Sequence, residues 1–170
     1  NGVQAAALAR WQERGWPGAK DEAWRFTRLA SLDKLSLRPA DASLANGAGN
    51  APAHKAPAGA HVIHFHNGIL VADSIDNMPK GCSARPVDKD DLGAIIDLSP
   101  ANHPVTDLSV AAMTSGLSVD VAAGAKVIAP IILMFTGDCG SVSAHPVVLL
   151  RVGRGAEAVI AEWHNTSVGL

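Results

Sequence analysis

The segment GLSVDVAAGAKVIAPIILMFTGDCGSVSAHPVVLLRVGRGAEAVIAEWH, Gly116 to His164, decides how the chain is built. Its apolar residues fall in short runs punctuated by glycine and lack the three-and-four spacing that lays an apolar stripe along a helix. Set against itself, Val121-Ala-Ala-Gly-Ala-Lys-Val127 falls over Val152-Gly-Arg-Gly-Ala-Glu-Ala158 at an offset of thirty-one residues. In each copy a strand runs into a Gly-Ala turn and out into another strand. That period predicts stacked β layers, each burying its inward side chains against the next.

The same glycines satisfy G-x-G-x-x-A from Gly153 to Ala158, directly after the apolar run VVLLRV. In a dinucleotide fold such glycines let the backbone approach a pyrophosphate, and an acidic residue about 20 positions on binds the ribose. That acid would fall past Leu170, and the copy at Val121 lacks the first glycine, so a tight turn between strands is expected. Just upstream, TDLSVAAMTSGL from Thr106 predicts a short helix ended by Gly116.

Further upstream, HVIHFH and ILVAD flank Asn67-Gly68, the strongest short-range signal for a type I′ hairpin. This places three histidines on one strand. By alternation His64 and His66 share a face with Val62, while His61 shares the other with Ile63 and Phe65. Two imidazoles on one face suit zinc or iron, but such a site takes a third and usually a fourth ligand. Asp73 is the carboxylate the hairpin itself could add. The plainer expectation is a solvent-facing strand edge with polar side chains.

Between Pro39 and Ala60, fifteen of twenty-two residues are Ala, Gly or Pro, so no periodic apolar face survives and a linker or long loop is expected. Before it, VQAAALARWQER (Val3 to Arg14) reads as an amphipathic helix capped by Gly15. KDEAWRFTRLASLDKL reads as a helix or helical turns, with Asp21 and Glu22 placed favourably at its start. The run DKDD, Asp88 to Asp91, suits a helix N-cap or a solvated turn better than a divalent cation site.

Composition narrows the function. Fourteen basic against sixteen acidic residues give a net charge of -2, with no electrostatic footprint for nucleic acid or an anionic membrane. Only Cys82 and Cys139 occur, outside any C-x-x-C pair, so loop or partly buried thiols in a reducing cytoplasm are expected. The longest apolar run, Val127 to Phe135, is broken by Pro130 and is far shorter than the roughly 20 residues that span a bilayer. NGVQAAALARW lacks the charged region that opens a signal peptide. P-loop, G-x-S-x-G and H-E-x-x-H motifs are absent.

Four segments, in order, resemble one family. DEAWRFTRLASL (Asp21 to Leu32) is similar to the acidic-acidic-x-Trp-basic-aromatic-Thr-x-Leu signature near the N-terminus of the SufD branch of the SufB/SufD family of iron-sulfur cluster assembly proteins. HVIHFHNGILVADSI (His61 to Ile75) resembles its strand, Gly turn and strand. GLSVDVAAGAKVIAPIILMF (Gly116 to Phe135) and AHPVVLLRVGRGAEAVIAEWH (Ala144 to His164) resemble the opening rungs of its β-helix. The resemblance implies a mainly β protein with N-terminal helices, in which an N-terminal α/β region (1-105, with the linker at 39-60 and the hairpin at 61-73) precedes the first rungs of a right-handed parallel β-helix (106-170), the chain being the front part of a longer protein.

It also implies a non-catalytic scaffold subunit of the cytoplasmic SUF machinery. Its partners would be a SufB-like paralogue and a SufC-like ABC ATPase, with a homodimer through the β-helix as a further association and no nucleic acid or membrane. The cluster would be handled by the whole complex, with no cofactor on this chain. The family's working residues lie in a C-terminal half without counterpart here, so no residue is assigned a catalytic, cofactor-binding or metal-binding role. Histidines at 61, 64 and 66 are not part of the family pattern. Trp24 is, and as an anchor for the N-terminal helices its truncation to Ala would cost about 3 kcal/mol or more.

Overall fold

The computed structural model describes residues 2-18, 20-27, 29, 31-35, 38-44, 56-98, 103-138, 140 and 142-166. Among the described residues, three α-helices and mixed sheets make a structure that is not plainly mainly β. The helices are α1 (Gly2–Arg14), α2 (Lys89–Leu98) and α3 (Pro104–Ala112). The strands are β1 (Arg38–Pro39), β2 (His61–His66), β3 (Ile69–Leu70), β4 (Cys82–Pro86), β5 (Gly116–Val121), β6 (Ile131–Gly137), β7 (Val142–Ser143), β8 (Val147–Val152) and β9 (Ile160–Thr166).

The two copies of the repeat lie on one another in parallel register. Val121 pairs with Val152 across β5 and β8, an isolated bridge joins Lys126 to Glu157, and β6 continues beside β9 with Ile131 opposite Ile160. The G-x-G-x-x-A stretch is the turn between β8 and β9, as its flanking strands require. Gly153 sits where a Cβ would collide with the backbone of Ala122 and Ala123, and Gly155 has φ +71°. The first turn tolerates Ala122 at the position of Gly153 because the close approach is made by the second turn settling onto the first.

Strands from the first half of the chain are built into the same sheets. The orders are β3-β2-β6-β9 and β4-β5-β8, and β1 pairs with β7. β2 runs parallel to β6, whereas β4 is antiparallel to β5. The hairpin forms as expected: His66 pairs with Ile69, and Asn67 and Gly68 both have positive φ, 49° and 83°, which a type I′ turn requires. Val71 and the 3-10 turn Ala72–Ile75 follow where the second strand was expected to extend to Asp73.

One core lies between the sheets, formed by Ile63, Phe65, Leu117, Val119, Ile131 and Leu133. The opposite face of the β4-β5-β8 sheet carries Leu149 into a second core with Ala7, Leu92, Ile95 and Val110 from the helices. Alternation along β8 thus sends Leu149 towards the helices and Val148 onto the inner core, with Leu150 and Val152 on the same face as Val148 but exposed.

α1 ends as its sequence requires, with Gly15 at φ +64° returning its N–H to Trp11. α3 stops at Ala112, earlier than the expected stop at Gly116, which instead opens β5. His103 caps α3 through its ring, since Nδ1 accepts from the Thr106 N–H, and Pro104 fits the first turn, where its missing N–H costs nothing. The stretch after Lys20 forms helical turns, Glu22–Trp24 and Leu32–Lys34, rather than a continuous helix. Residues 45-55, half of the Ala/Gly/Pro stretch, lie outside the described residues.

Candidate functional site

The most elaborate polar cluster lies where β2 and β6 end side by side. Parallel register puts His64 opposite Met134 and His66 opposite Thr136. The Thr136 hydroxyl lies 2.7 Å from His64 Nε2 and 2.9 Å from His66 Nδ1, so one hydroxyl bridges two imidazoles. Asp138 Oδ1 stands 3.4 Å from His66 Nε2 and accepts from the Asn67 amide at 2.9 Å. The Asp138 N–H in turn donates to Asn67 Oδ1, which fastens the hairpin turn to the end of β6. Asn67 also donates to the Leu44 carbonyl.

Burial departs from the expected solvent-facing edge. β2 is an interior strand flanked by β3 and β6, and His66 is only 2% exposed. His64 is half-buried. Desolvation holds its imidazole below the usual histidine range, His66 adds to that effect, and the Asp73 carboxylate opposes it. His61 lies on the opposite face of the strand, and its Nε2 is buried without a hydrogen-bond partner. The three histidines therefore do not converge. Among the described residues no group of three or more His, Cys, Asp or Glu side chains is placed to hold a metal ion.

A second cluster is a structural joint. Asp91, 2% exposed on α2, accepts a forked pair from Arg85 at 2.6 and 3.0 Å and a third bond from Arg151 at 2.6 Å. The Arg85 guanidinium first, then Arg151 and the Asp88 N–H, hold its carboxyl well below the usual carboxylate range. Asp88 accepts from the N–H groups of Asp90 and Asp91, so the DKDD run does cap a helix. The network ties α2 to β4 and β8, and Arg151 also donates to Ser118 on β5.

A third feature is the outer edge of the β8/β9 layer. Among the described residues each of these strands is paired on one side only. Leu117, Val119 and Val121 are buried, but their register partners Val148, Leu150 and Val152 are not, and Leu150 and Val152 are 43% and 51% exposed. On β9 the inward positions change character. Glu162 stands opposite Leu133 and His164 opposite Phe135, with His164 Nε2 3.2 Å from Glu162. Phe65, Phe135 and His164 form a continuous ring stack, with centroids 5.0 and 4.6 Å apart.

The remaining candidates are placed as follows. Cys82 lies on β4 rather than in a loop, pairs with Val121 and packs on the inner core, and burial pushes its thiol up. Cys139 lies outside the described residues. Trp24 belongs to neither core. It is half-buried, its ring is 5.1 Å from that of His103, and with Trp16 it lines a groove of about 510 Å³. The N-terminal helix is instead held by Ala7, by the Arg10–Asp107 ion pair at 2.7 Å, and by Gln4 donating to the Met113 carbonyl.

Sequence reasoning passed over Thr136, Asp138 and Arg151. The signal for the first two was the two-residue spacing in Thr136-Gly-Asp138, but its meaning depends on which strand β6 accompanies. No helix among the described residues is long and apolar enough to cross a membrane. No protein-family model matches the chain, and no curated protein matches it.

Proposed function

We propose that this chain is a SufD-like, non-catalytic scaffold component of an iron-sulfur cluster assembly machinery, acting with a SufB-like paralogue and a SufC-like ABC ATPase. The observation that carries the reading is the parallel stacking of β5 on β8 at the thirty-one-residue offset read from the sequence, continued by β6 on β9 at an offset of twenty-nine. Two strands joined by a Gly-Ala turn and repeated in register suit the opening rungs of a parallel β-helix. The order of the four family-like segments, from Asp21 to His164, supports the same reading.

A scaffold role fits the chemistry of the surfaces. The polar clusters are consumed in joining elements: Asp91 anchors α2 to the sheet, and Asp138 with Asn67 anchors the hairpin to β6. The edges of β8 and β9 that have no partner strand among the described residues, with Leu150 and Val152 exposed beside them, suit continuation of the stack. An edge of this kind left bare invites pairing with other chains.

The test is co-expression with a SufB-like and a SufC-like protein, followed by affinity purification through this chain and mass measurement of the complex. A stoichiometric assembly containing both partners is expected, and elution of this chain alone contradicts the proposal. A stand-alone metal-binding β protein is the second reading. It draws on one observation, the His66 Nε2 to Asp138 Oδ1 separation of 3.4 Å, close to the spacing of two ligands on a tetrahedral ion. It requires stoichiometric zinc or iron binding that is lost in His64→Ala, whereas the scaffold reading requires none.

A further inference from the structure

The two copies of the repeat part company at one corner. Lys126 stands beside Glu157, thirty-one residues on, but Ile131 stands beside Ile160, twenty-nine residues on. Between these points the first copy uses residues 127 to 130 where the second uses 158 and 159. Both ends are held by the backbone, since the Val127 N–H donates to the Glu157 carbonyl, the Ile131 N–H to the Val159 carbonyl, and the Pro130 carbonyl accepts from the His61 N–H. The two added residues are taken up as an excursion from the stack. Val127 turns in and is 7% exposed, while Ile128 turns out and is 94% exposed. Excursions of this kind are ordinarily polar. Here an isoleucine stands on one, and Val159, in the matching corner of the second copy, is also exposed.

Beside Ile128 lies a hollow of about 530 Å³, lined otherwise by Pro79, Lys80, Gly81, Ala125, Lys126 and Ala129. Its walls are set by the backbone. The Cys82 N–H donates to the Pro79 carbonyl and the Ala122 N–H to the Gly81 carbonyl, and Gly81, at φ +88°, lies so close that a Cβ there would stand 2.8 Å from the Ala125 methyl. The charge at the rim has one sign. Lys80 is exposed and makes no ion pair with a described residue. Lys126 pairs with Glu157 at 3.3 Å, but the two side chains are 74% and 70% exposed, so the pair is worth little in water and exchanges readily. Among the described residues no carboxylate lines the hollow. The groove at Trp16 and Trp24 differs in this respect, being lined by Arg14 as well as by Asp21 and Glu22.

We infer that this corner docks a segment of another protein in which an aliphatic or aromatic side chain is flanked by carboxylates. The apolar side chain enters the hollow against Ile128, and the carboxylates meet Lys80 and Lys126, one of them taking the place of Glu157. An apolar centre with a charged rim is the ordinary build of a contact surface, and the single sign of that rim selects the partner's charge. A contact confined to one corner of the stack is small, so it is weak, reversible and sensitive to salt. The surface is made by this chain alone, so it stands or falls independently of the assembly proposed above.

The test is titration of the whole chain with the capped hexapeptide EDLFDE, followed by nitrogen and proton NMR of the backbone amides. Saturable shifts confined to the amides of Gly81, Ala125, Lys126, Ile128 and their neighbours are expected, with a Kd of about 0.1 to 1 mM, the range of a small transient contact. The same titration with KRLFRK, which reverses the charge, and with EDSSDE, which removes the apolar centre, should give no saturable shift at these residues. Ile128→Ser and the pair Lys80→Glu with Lys126→Glu should each weaken EDLFDE by about threefold or more, and all three positions are exposed, so the fold is not at risk. An absence of saturable shifts at this corner on the unaltered chain up to about 10 mM peptide, some ten times the weakest affinity expected, overturns the inference. Equal binding of KRLFRK or EDSSDE overturns it too, as does undiminished binding to the Ile128→Ser chain.

Discussion

The β5/β6 layer and the β8/β9 layer stack strand on strand in parallel but occupy opposite environments. Val119 and Val121 are buried, whereas their partners Leu150 and Val152 lie open to solvent beside an edge that has no partner strand among the described residues. Burial in a stack is a property of having a neighbour on both sides, and identical alternation yields core in one layer and surface in the next. The polar substitutions follow the same division, since Leu133 and Phe135 inside give way to Glu162 and His164 outside. An apolar half over β8 and a charged half over β9 define what any further layer must complement.

The comparison can be broken by truncating matched positions. Leu117→Ala should cost about 3 kcal/mol, the usual loss for a buried leucine, while Leu150→Ala at a 43% exposed position should cost below about 1 kcal/mol in chemical denaturation. Equal losses would mean that the outer layer is covered in the protein as it stands. Asp91→Ala should cost about 2 kcal/mol, because it removes the buried carboxylate that accepts three charge-assisted bonds at the joint between α2 and the sheet, while the half-exposed Arg85 and Arg151 keep Asp88 and Ser118. Asp91 also gives a pH signature. Its folded-state pKa is depressed, so its contribution is complete above the ordinary carboxylate range near pH 4 and is lost as the pH falls towards the folded value. The Asp91→Ala chain should accordingly show a flatter loss of stability in acid.

Smaller effects sharpen the same picture. Trp24→Ala should cost about 1 to 2 kcal/mol rather than the 3 expected from sequence, because its ring is half-buried against His103. His64 and His145 are both held below the usual histidine value by burial. In the unfolded chain each takes up its proton at a higher pH than in the folded one, so stability should fall as the pH drops from 7 towards 5. A melting temperature that rises over that interval would contradict the burial assigned to these rings, and His64→Gln should flatten the fall.

Much of the architecture was legible because it rests on local rules. The Asn67-Gly68 turn, the Gly15 cap and the Gly-Ala repeat each follow from a backbone conformation that few residues adopt. The repeat was readable even where its first glycine is missing, because only Gly153 has to settle against the backbone below it. Partner choice between strands is not local. Nothing in HVIHFH says that β6 will lie beside it, and without that fact His64 and His66 read as a polar edge or as metal ligands rather than as partners of Thr136 and Asp138. Trp24 misled for a related reason. A tryptophan in a family-like signature suggests a core anchor, but Ala7 and Arg10 hold α1 to its neighbours, and a 3-10 turn leaves the indole on a groove. Arg151 was hidden because its value lies in reaching Asp91 on another element.

The most direct measurement is purification of the native polypeptide from its source cells under gentle conditions, with intact mass and identification of whatever accompanies it. The scaffold account expects a stoichiometric complex with an ABC-type ATPase and a paralogous β-stack protein, in which β8 and β9 are protected from hydrogen exchange to the level of β5 and β6. A polypeptide that runs alone, with β8 and β9 exchanging freely and zinc or iron bound at the histidine strand, would contradict it.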